Sequence, residues 1–143
     1  MAHPPEEEYG PLDGGGVQTL ERARDVTRKF LSVVAPGGGS EADAVVLVVT
    51  ELVTNAVRHA GGVRGFRLEE SLGMVTVAVQ DASTTLPRPR PMDAGDPGGF
   101  GWHLVQELSV HVQVRVHSAG KTVAAAVPLF PLASRQKLKH GSG

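Results

Sequence analysis

The sequence predicts an α+β fold, a two-layer sandwich in which helices cover one face of a mostly antiparallel sheet. Apolar residues recur about every 3.6 positions in residues 17–35 and 42–60, which is the pattern of helices buried on one side. Farther along, short runs alternate apolar and polar residues between turns, which is the pattern of hairpin strands. Three helices and about four strands in this order favour helices packed on one sheet.

The predicted helices have recognisable ends. The first covers residues 17–35, and Pro36 with the three glycines after it stops that helix. Ser40 offers an N-cap for the second helix. Gly61-Gly62 ends it, because glycine readily takes the left-handed conformation of a C-cap. A third helix is predicted over residues 102–110.

The strands are predicted from their alternation. Residues 64–69 and 74–80 are two such runs, and the short segment Ser71-Leu72-Gly73 between them indicates a hairpin. Two further strands are expected at residues 112–116 and 121–129, where apolar residues again alternate along the chain.

The chain is predicted to be one domain with flexible ends. At 143 residues it is long enough to bury a core, and we expect the domain to cover residues 17–132. Residues 1–16, rich in glutamate, proline and glycine, are expected to form a flexible arm, and residues 133–143 a flexible tail. Residues 82–98 contain too many prolines for a helix or a strand and are expected to form a lid.

The composition narrows the class of function. A net charge of −1 gives no electrostatic reason to expect direct binding to nucleic acid or to an anionic membrane. The absence of cysteine excludes disulfides, zinc–thiolate sites and thiol catalysis. No apolar run approaches the ~18 residues of a membrane span and no signal-peptide pattern is present, so we expect a cytoplasmic protein.

The second predicted helix carries a polar stripe on an otherwise apolar segment. Glu51, Asn55 and His59 follow one another at steps of four residues, and each step turns only about 40° around a helix. The amide oxygen of Asn55 is a ligand type that Mg²⁺ accepts, and Glu51 is placed to take a proton from an attacking hydroxyl. The alternative is an amphipathic helix whose solvent face happens to contain these residues.

A second motif is the carboxylate of Asp81. It ends a predicted strand where the chain becomes irregular, so it can be presented to a ligand. An ionised aspartate accepts hydrogen bonds, and the exocyclic amine of adenine donates them. The alternative is an aspartate that only caps a turn.

A third motif is the glycine-rich run Pro97-Gly98-Gly99-Phe100-Gly101 before the third helix. Glycines let a backbone approach a ligand closely, and a helix N-terminus attracts anions such as phosphate. The run lacks the lysine of a P-loop and is not preceded by the strand of a dinucleotide fingerprint. A flexible hinge is the competing interpretation.

Taken in order, these motifs resemble the nucleotide site of the GHKL (Bergerat-fold) ATPases, which include gyrase, histidine-kinase and MutL types. The run from Glu51 to Ala60 is similar to the N-box of that family. Asp81 falls at its adenine-binding aspartate, and Gly99-Phe100-Gly101 falls at the glycine box that touches phosphates. Gly120-Lys121-Thr122 resembles the final box, in which a threonine hydroxyl contacts the adenine end of the site.

The resemblance implies that ATP and Mg²⁺ are the ligands. It gives Glu51 the role of catalytic base and Asn55 that of metal ligand. His59 either orients a phosphate or only interacts with the helix dipole. The residues expected to bind the nucleotide are Asn55, His59, Asp81, Gly98, Gly99, Phe100, Gly101, Trp102 and Thr122.

The sequence departs from the family pattern in two places. The first glycine box of the family reads Asp-x-Gly-x-Gly, whereas here Ser83 and Thr85 replace both glycines. In the second glycine box, Trp102 stands where leucine or isoleucine is expected, which puts an indole near the proposed phosphates. Neither change removes the proposed metal ligand or the base.

The chain resembles the anti-sigma-factor serine kinases, specifically small ATP-binding regulators of actinobacterial type, in its small size, its short lid and residues 23–28. This implies a serine/threonine kinase that phosphorylates an anti-sigma-factor antagonist and binds a sigma factor; homodimers occur in the wider branch. A binding module that transfers no phosphate is the alternative, favoured by the missing glycines. A third hypothesis is a histidine-kinase fragment. The small size and the lack of a dimerisation helix argue against it.

Overall fold

A computed structural model describes residues 6–9, 16–59, 61–84 and 98–129 of the chain. Within these ranges the backbone forms helices and strands in an order that begins with a strand and ends with a β-hairpin. The elements are β1 (Glu6–Tyr9), α1 (Gly16–Val34), α2 (Ser40–His59), β2 (Val63–Ser71), β3 (Met74–Asp81), α3 (Gly98–Leu108), β4 (His111–His117) and β5 (Gly120–Pro128).

The strands form one antiparallel sheet in the order β1-β2-β3-β5-β4. Hairpins join β2 to β3 and β4 to β5, and β5 inserts between β3 and β4. Each hairpin therefore keeps its own strands adjacent, while the pairing of β3 with β5 joins distant parts of the sequence. The predicted α+β sandwich is confirmed.

The core lies between one face of the sheet and the helices. α2 contributes valines at successive turns, and alternate residues of the central strands meet them, because side chains of a strand point alternately to its two faces. Residues of this core that are almost fully buried are Val45, Val48, Val49, Val53, Phe66, Leu68, Val75, Val77, Val79, Val105 and Val127. Burial of this kind contributes about 1.5–3 kcal/mol for each large aliphatic side chain.

Two predictions about local structure were wrong. Glu6–Tyr9, expected in a flexible arm, forms an edge strand whose backbone pairs with β2 from Phe66 to Glu69. An edge strand presents unpaired N–H and C=O groups, so a segment can pair with it without an apolar pattern of its own. The third helix, expected from residue 102, begins at Gly98, so that Gly98–Gly101 is its first turn and not a loop.

Some predictions fall outside the described residues. These are most of the arm, most of the lid and the tail, together with Ala60, the last residue of the run that resembles the N-box. Among the described residues, no helix is both long enough and apolar enough to cross a membrane.

Candidate functional site

The polar stripe of α2 runs along the edge of the face that packs on the core. Glu51 and Asn55 are partly buried and His59 is exposed, whereas Leu52 and Val53 beside them are buried. The helix therefore holds its acid and its amide at the boundary between core and solvent. This is where the sequence pattern predicts them.

Burial changes the chemistry of Glu51. Desolvation raises the pKa of the Glu51 carboxyl above its ordinary value, and the positive charge of Arg58, two turns farther along α2, lowers it in part. Desolvation is the larger of the two effects, because a partly buried carboxylate loses hydration that an exposed arginine replaces only in part. A carboxyl with a raised pKa is a better proton acceptor once it is ionised.

Asp81 lies at the end of the sheet into which α2 leads. The N–H of Gly62 donates to the carbonyl oxygen of Ala56 at 2.9 Å, which closes the C-terminus of α2. The chain then enters β2 at Val63, which is the register partner of Asp81. The C-terminal end of α2, with Asn55 in its last turns, and the carboxylate of Asp81 therefore lie at one end of the fold.

A β-bulge adjoins Asp81. The pairing of β2 with β3 shifts between Val63 and Gly65, so that one extra residue of β2 lies opposite the end of β3. Bulges of this type increase the local twist and re-aim neighbouring side chains, and they are frequent beside functional sites.

The carboxylate of Asp81 is held by two partners. Lys121 Nζ lies 2.9 Å from its Oδ2 and 3.1 Å from its Oδ1, and both side chains are buried. The backbone N–H of Ser83 donates to Oδ1 at 2.8 Å. The sequence motifs name Lys121 only as a member of the run that resembles the final box. Its pairing with Asp81 was missed because it depends on the register of β3 against β5.

Thr122 lies on the other face of the sheet from Asp81 and Lys121. Lys121 and Val123 are buried on the core face, and Thr122, between them, points the opposite way. Its Oγ1 is 3.4 Å from Nε2 of His117 in the neighbouring strand. This orientation does not support the predicted contact of Thr122 with adenine, and it makes Lys121 the residue of the final box that reaches Asp81.

The glycine-rich run provides the first turn of α3. The first four N–H groups of a helix have no partner inside the helix, and a helix N-terminus of this kind can bind an anion. Trp102, which follows, is 7% exposed and belongs to the hydrophobic core. Its predicted contact with phosphate stays a prediction.

The sequence matches the family described as histidine kinase-like ATPase domain over residues 17–127. This match covers most of the chain. The chain belongs to the histidine kinase-like ATPase domain family. Membership establishes the chain as an ATP-binding type of domain and agrees with the GHKL resemblance of its motifs. No curated protein matches the sequence significantly.

A solved structure shares the fold of this histidine kinase-like ATPase domain. The RsbU and RsbW domains of Rv1364c from Mycobacterium tuberculosis match with a TM-score of 0.59 and 17% identity, over 87% of this chain and 32% of that chain. This chain therefore spans about a third of the length of that protein. The histidine kinase domain from Erythrobacter litoralis EL346 blue-light activated histidine kinase matches with a TM-score of 0.47 and 21% identity, over 86% of this chain and 74% of that chain.

The side chains of the domain fit Mg²⁺ bound largely through a nucleotide. Asn55 supplies a neutral oxygen at the edge of the core. The described residues contain no group of three or more His, Cys, Asp or Glu side chains that could hold a metal by themselves. Mg²⁺ commonly binds through one or two protein ligands, waters and substrate phosphates, so a single amide ligand is compatible with it.

Proposed function

We propose that this protein is an ATP- and Mg²⁺-dependent serine/threonine kinase that acts on a protein partner in the cytoplasm. The observation that carries the proposal is the partly buried Glu51, whose pKa is raised by desolvation and which lies one turn before Asn55 on α2. A carboxylate tuned in this way accepts protons near neutral pH more effectively than an exposed glutamate does.

In the proposed reaction, Glu51 accepts the proton of a serine or threonine hydroxyl of the partner. The hydroxyl oxygen forms a bond to the γ-phosphorus of ATP, the bond from that phosphorus to the bridging oxygen breaks, and ADP leaves. Asn55 would hold Mg²⁺, which supplies positive charge to the phosphates. Phosphoryl transfer depends mainly on positioning and charge neutralisation, so few catalytic side chains are sufficient.

Two ends of the nucleotide have separate partners in this proposal. The carboxylate of Asp81 accepts a hydrogen bond from the exocyclic amine of adenine, and the N–H groups at the start of α3 donate hydrogen bonds to phosphate oxygens. His59, exposed in the last turn of α2, is proposed to lie near the phosphates. These assignments are supported by the order of the motifs and by the family match over residues 17–127.

We further propose that the partners belong to a sigma-factor pathway. In its small size, its short lid and residues 23–28 the sequence resembles anti-sigma-factor kinases, and the structural match to RsbU and RsbW domains, which shows a shared fold, is compatible with this. The phosphate acceptor would be an anti-sigma-factor antagonist and the sequestered protein a sigma factor. A homodimer is the proposed assembly, by analogy with the wider branch.

A second candidate function is a binding module that transfers no phosphate. The observation that favours it is the side chain of Asp81, which is only 4% exposed and already has a cationic partner. The loop after it contains Ser83 in place of a glycine, which reduces the room available to a nucleotide. Such a module would retain its partner but release no ADP.

The two functions are separated by a phosphorylation assay with ATP, Mg²⁺ and anti-sigma-factor antagonists of the same organism. We expect phosphoserine or phosphothreonine on one antagonist, and Glu51→Ala is expected to lower the rate roughly 10²–10⁴-fold while ATP still binds. Glu21→Ala, an exposed glutamate of α1, is the matched control. ATP binding without phosphorylation by the unaltered protein would favour the module, and a normal rate for Glu51→Ala would remove Glu51 as the base.

A further inference from the structure

Asp81 and Lys121 form an ion pair that is withdrawn from water. Their side chains are 4% and 7% exposed, and Lys121 Nζ contacts both oxygens of the carboxylate, at 2.9 and 3.1 Å. The two residues are direct register partners across β3 and β5. This close cross-strand geometry fixes the plane of the carboxylate from one side, and the N–H of Ser83 fixes it from the other.

The backbone around the pair allows this contact through Gly120. A side-chain Cβ at position 120 would collide with the carbonyl oxygen of Asp81 and would lie 2.9 Å from Cα of Ala82. The start of β5 can therefore approach the end of β3 closely only with glycine before Lys121. The close approach brings the ammonium group against the carboxylate.

Stability alone does not explain a charged pair at this position. Desolvating two charges is costly, and replacing a buried ion pair with apolar residues is often neutral or stabilising. The neighbours of the pair on the same face are Val79 and Val123, both buried, so an apolar pair would continue the core. A role for the ionised carboxylate accounts for the pair better than packing does.

We infer that Lys121 is a positioning residue that orients the carboxylate of Asp81 to accept a hydrogen bond from the exocyclic amine of a nucleobase. This inference rests on the proposed function, because it takes Asp81 to be the base-binding residue. A carboxylate has about four acceptor positions, and the contacts of Lys121 and Ser83 among the described residues use three of them. The remaining position can accept one hydrogen bond. The ligand class that we infer for it is a nucleotide with an amino group on its base, because that group donates such a bond.

The geometry disfavours the simpler role of Lys121 as a phosphate contact. Its ammonium group is buried against Asp81, at the end of β3, whereas the N–H groups proposed to bind phosphate belong to the start of α3. Without Lys121, the carboxylate of Asp81 would be left buried without a cation. It would also lose the contacts with Nζ that hold both of its oxygens, so its remaining acceptor position would no longer be fixed toward the amine.

The test compares Mg-ATP with the Mg complex of purine riboside 5′-triphosphate, which lacks the 6-amino group, by calorimetric titration of the full chain. We expect the unaltered protein to bind ATP about tenfold or more tightly than the analogue, as a hydrogen bond to a charged acceptor requires. In Lys121→Met this preference should disappear, so that ATP and the analogue bind about equally, while the affinity for the analogue is retained. Lys121→Arg should recover part of the preference, and Lys29→Met, on the exposed face of α1, should leave it unchanged.

Each contrary result has a distinct meaning. If Lys121→Met keeps the full preference for ATP, or weakens both nucleotides equally, Lys121 has only a structural role and the inference is wrong. If Lys121→Met does not fold, Lys121→Gln, which keeps a donor without the charge, must show the reduced preference. Equal binding of both nucleotides by the unaltered protein would overturn the inference alone, whereas binding of neither would overturn the proposed function as well.

Discussion

The side chain of Glu51, the proposed base, has a pKa that is set by burial and by one charged neighbour on its own helix. Burial raises the pKa of the Glu51 carboxyl, and the positive charge of Arg58 opposes that rise. A general base acts in its ionised form, so the proposed activity should be lost as the pH falls through this raised pKa. The loss should therefore begin at a higher pH than for an ordinary glutamate.

Arg58→Ala tests this balance at the residue scale. Removing the positive charge should raise the pKa of Glu51 further, so the acidic limb of the rate-against-pH profile should move to higher pH, with the rate at alkaline pH retained. The profile of phosphorylation rate against pH is the measurement, with Arg22→Ala, an exposed arginine of α1, as the control. An unmoved acidic limb would show that Arg58 does not act on the base.

At the scale of elements, the junction of β3 with β5 brings two backbone segments so close together that only glycine fits at position 120. Gly120 has a φ of 149°, and a Cβ there would collide with the backbone of Asp81. Gly120→Ala should therefore displace the start of β5 and destabilise the protein by about 1–3 kcal/mol.

Denaturant unfolding measures this effect, and Gly37→Ala provides the control. A Cβ at Gly37 meets nothing within 4 Å, and that residue has an ordinary φ. The same substitution should therefore change the unfolding free energy little at position 37. Equal stability of the two variants would mean that β5 can move away from Asp81 at little cost.

Elements differ in how far the sequence predicts them. The boundaries of α1 and α2, and the side of α2 that is buried, follow from local periodicity, because each apolar residue is repeated within one or two turns. β1 was missed because its pairing is supplied by the edge of β2 and not by an apolar pattern. The first turn of α3 was missed because three of its four residues are glycines, which favour loops when considered locally.

Within the candidate site, the residues that share one helix could be predicted from the sequence, whereas a contact between two strands could not. Glu51 and Asn55 belong to one helix, so their spacing alone placed them on a common stripe. The contact of Lys121 with Asp81 joins residues 40 positions apart, and only the register of β3 with β5 decides whether position 121 or 122 faces the carboxylate. Thr122 was assigned to the site from the resemblance of residues 120–122 to the final box, and a shift of one residue in a strand moves a side chain to the other face, which a motif alone does not reveal.

At the scale of the whole molecule, nucleotide binding should stabilise the folded state. A ligand that binds only the folded protein adds about 2.7 kcal/mol at a concentration one hundred times its Kd. We therefore expect Mg-ATP to raise Tm by a few degrees or more. Trp102 is the only tryptophan of the chain and is buried in the core, so its fluorescence reports the unfolding of the domain.

The control for this measurement is Asp81→Asn, which keeps the size of the side chain but weakens its acceptor. Its increase in Tm with Mg-ATP should be smaller than that of the unaltered protein. A Tm that does not change with millimolar Mg-ATP in the unaltered protein would contradict the proposed nucleotide site. An equal increase in both proteins would separate nucleotide binding from Asp81.

The position of β5 has a consequence for biosynthesis. It is the last of the described strands in the sequence, yet it occupies the interior of the sheet between β3 and β4. A nascent chain on the ribosome can complete α1, α2 and the first hairpin while the partner of Asp81 is still unsynthesised. Competence to recognise a base would then arise only after β5 has been synthesised and has entered the gap between β3 and β4.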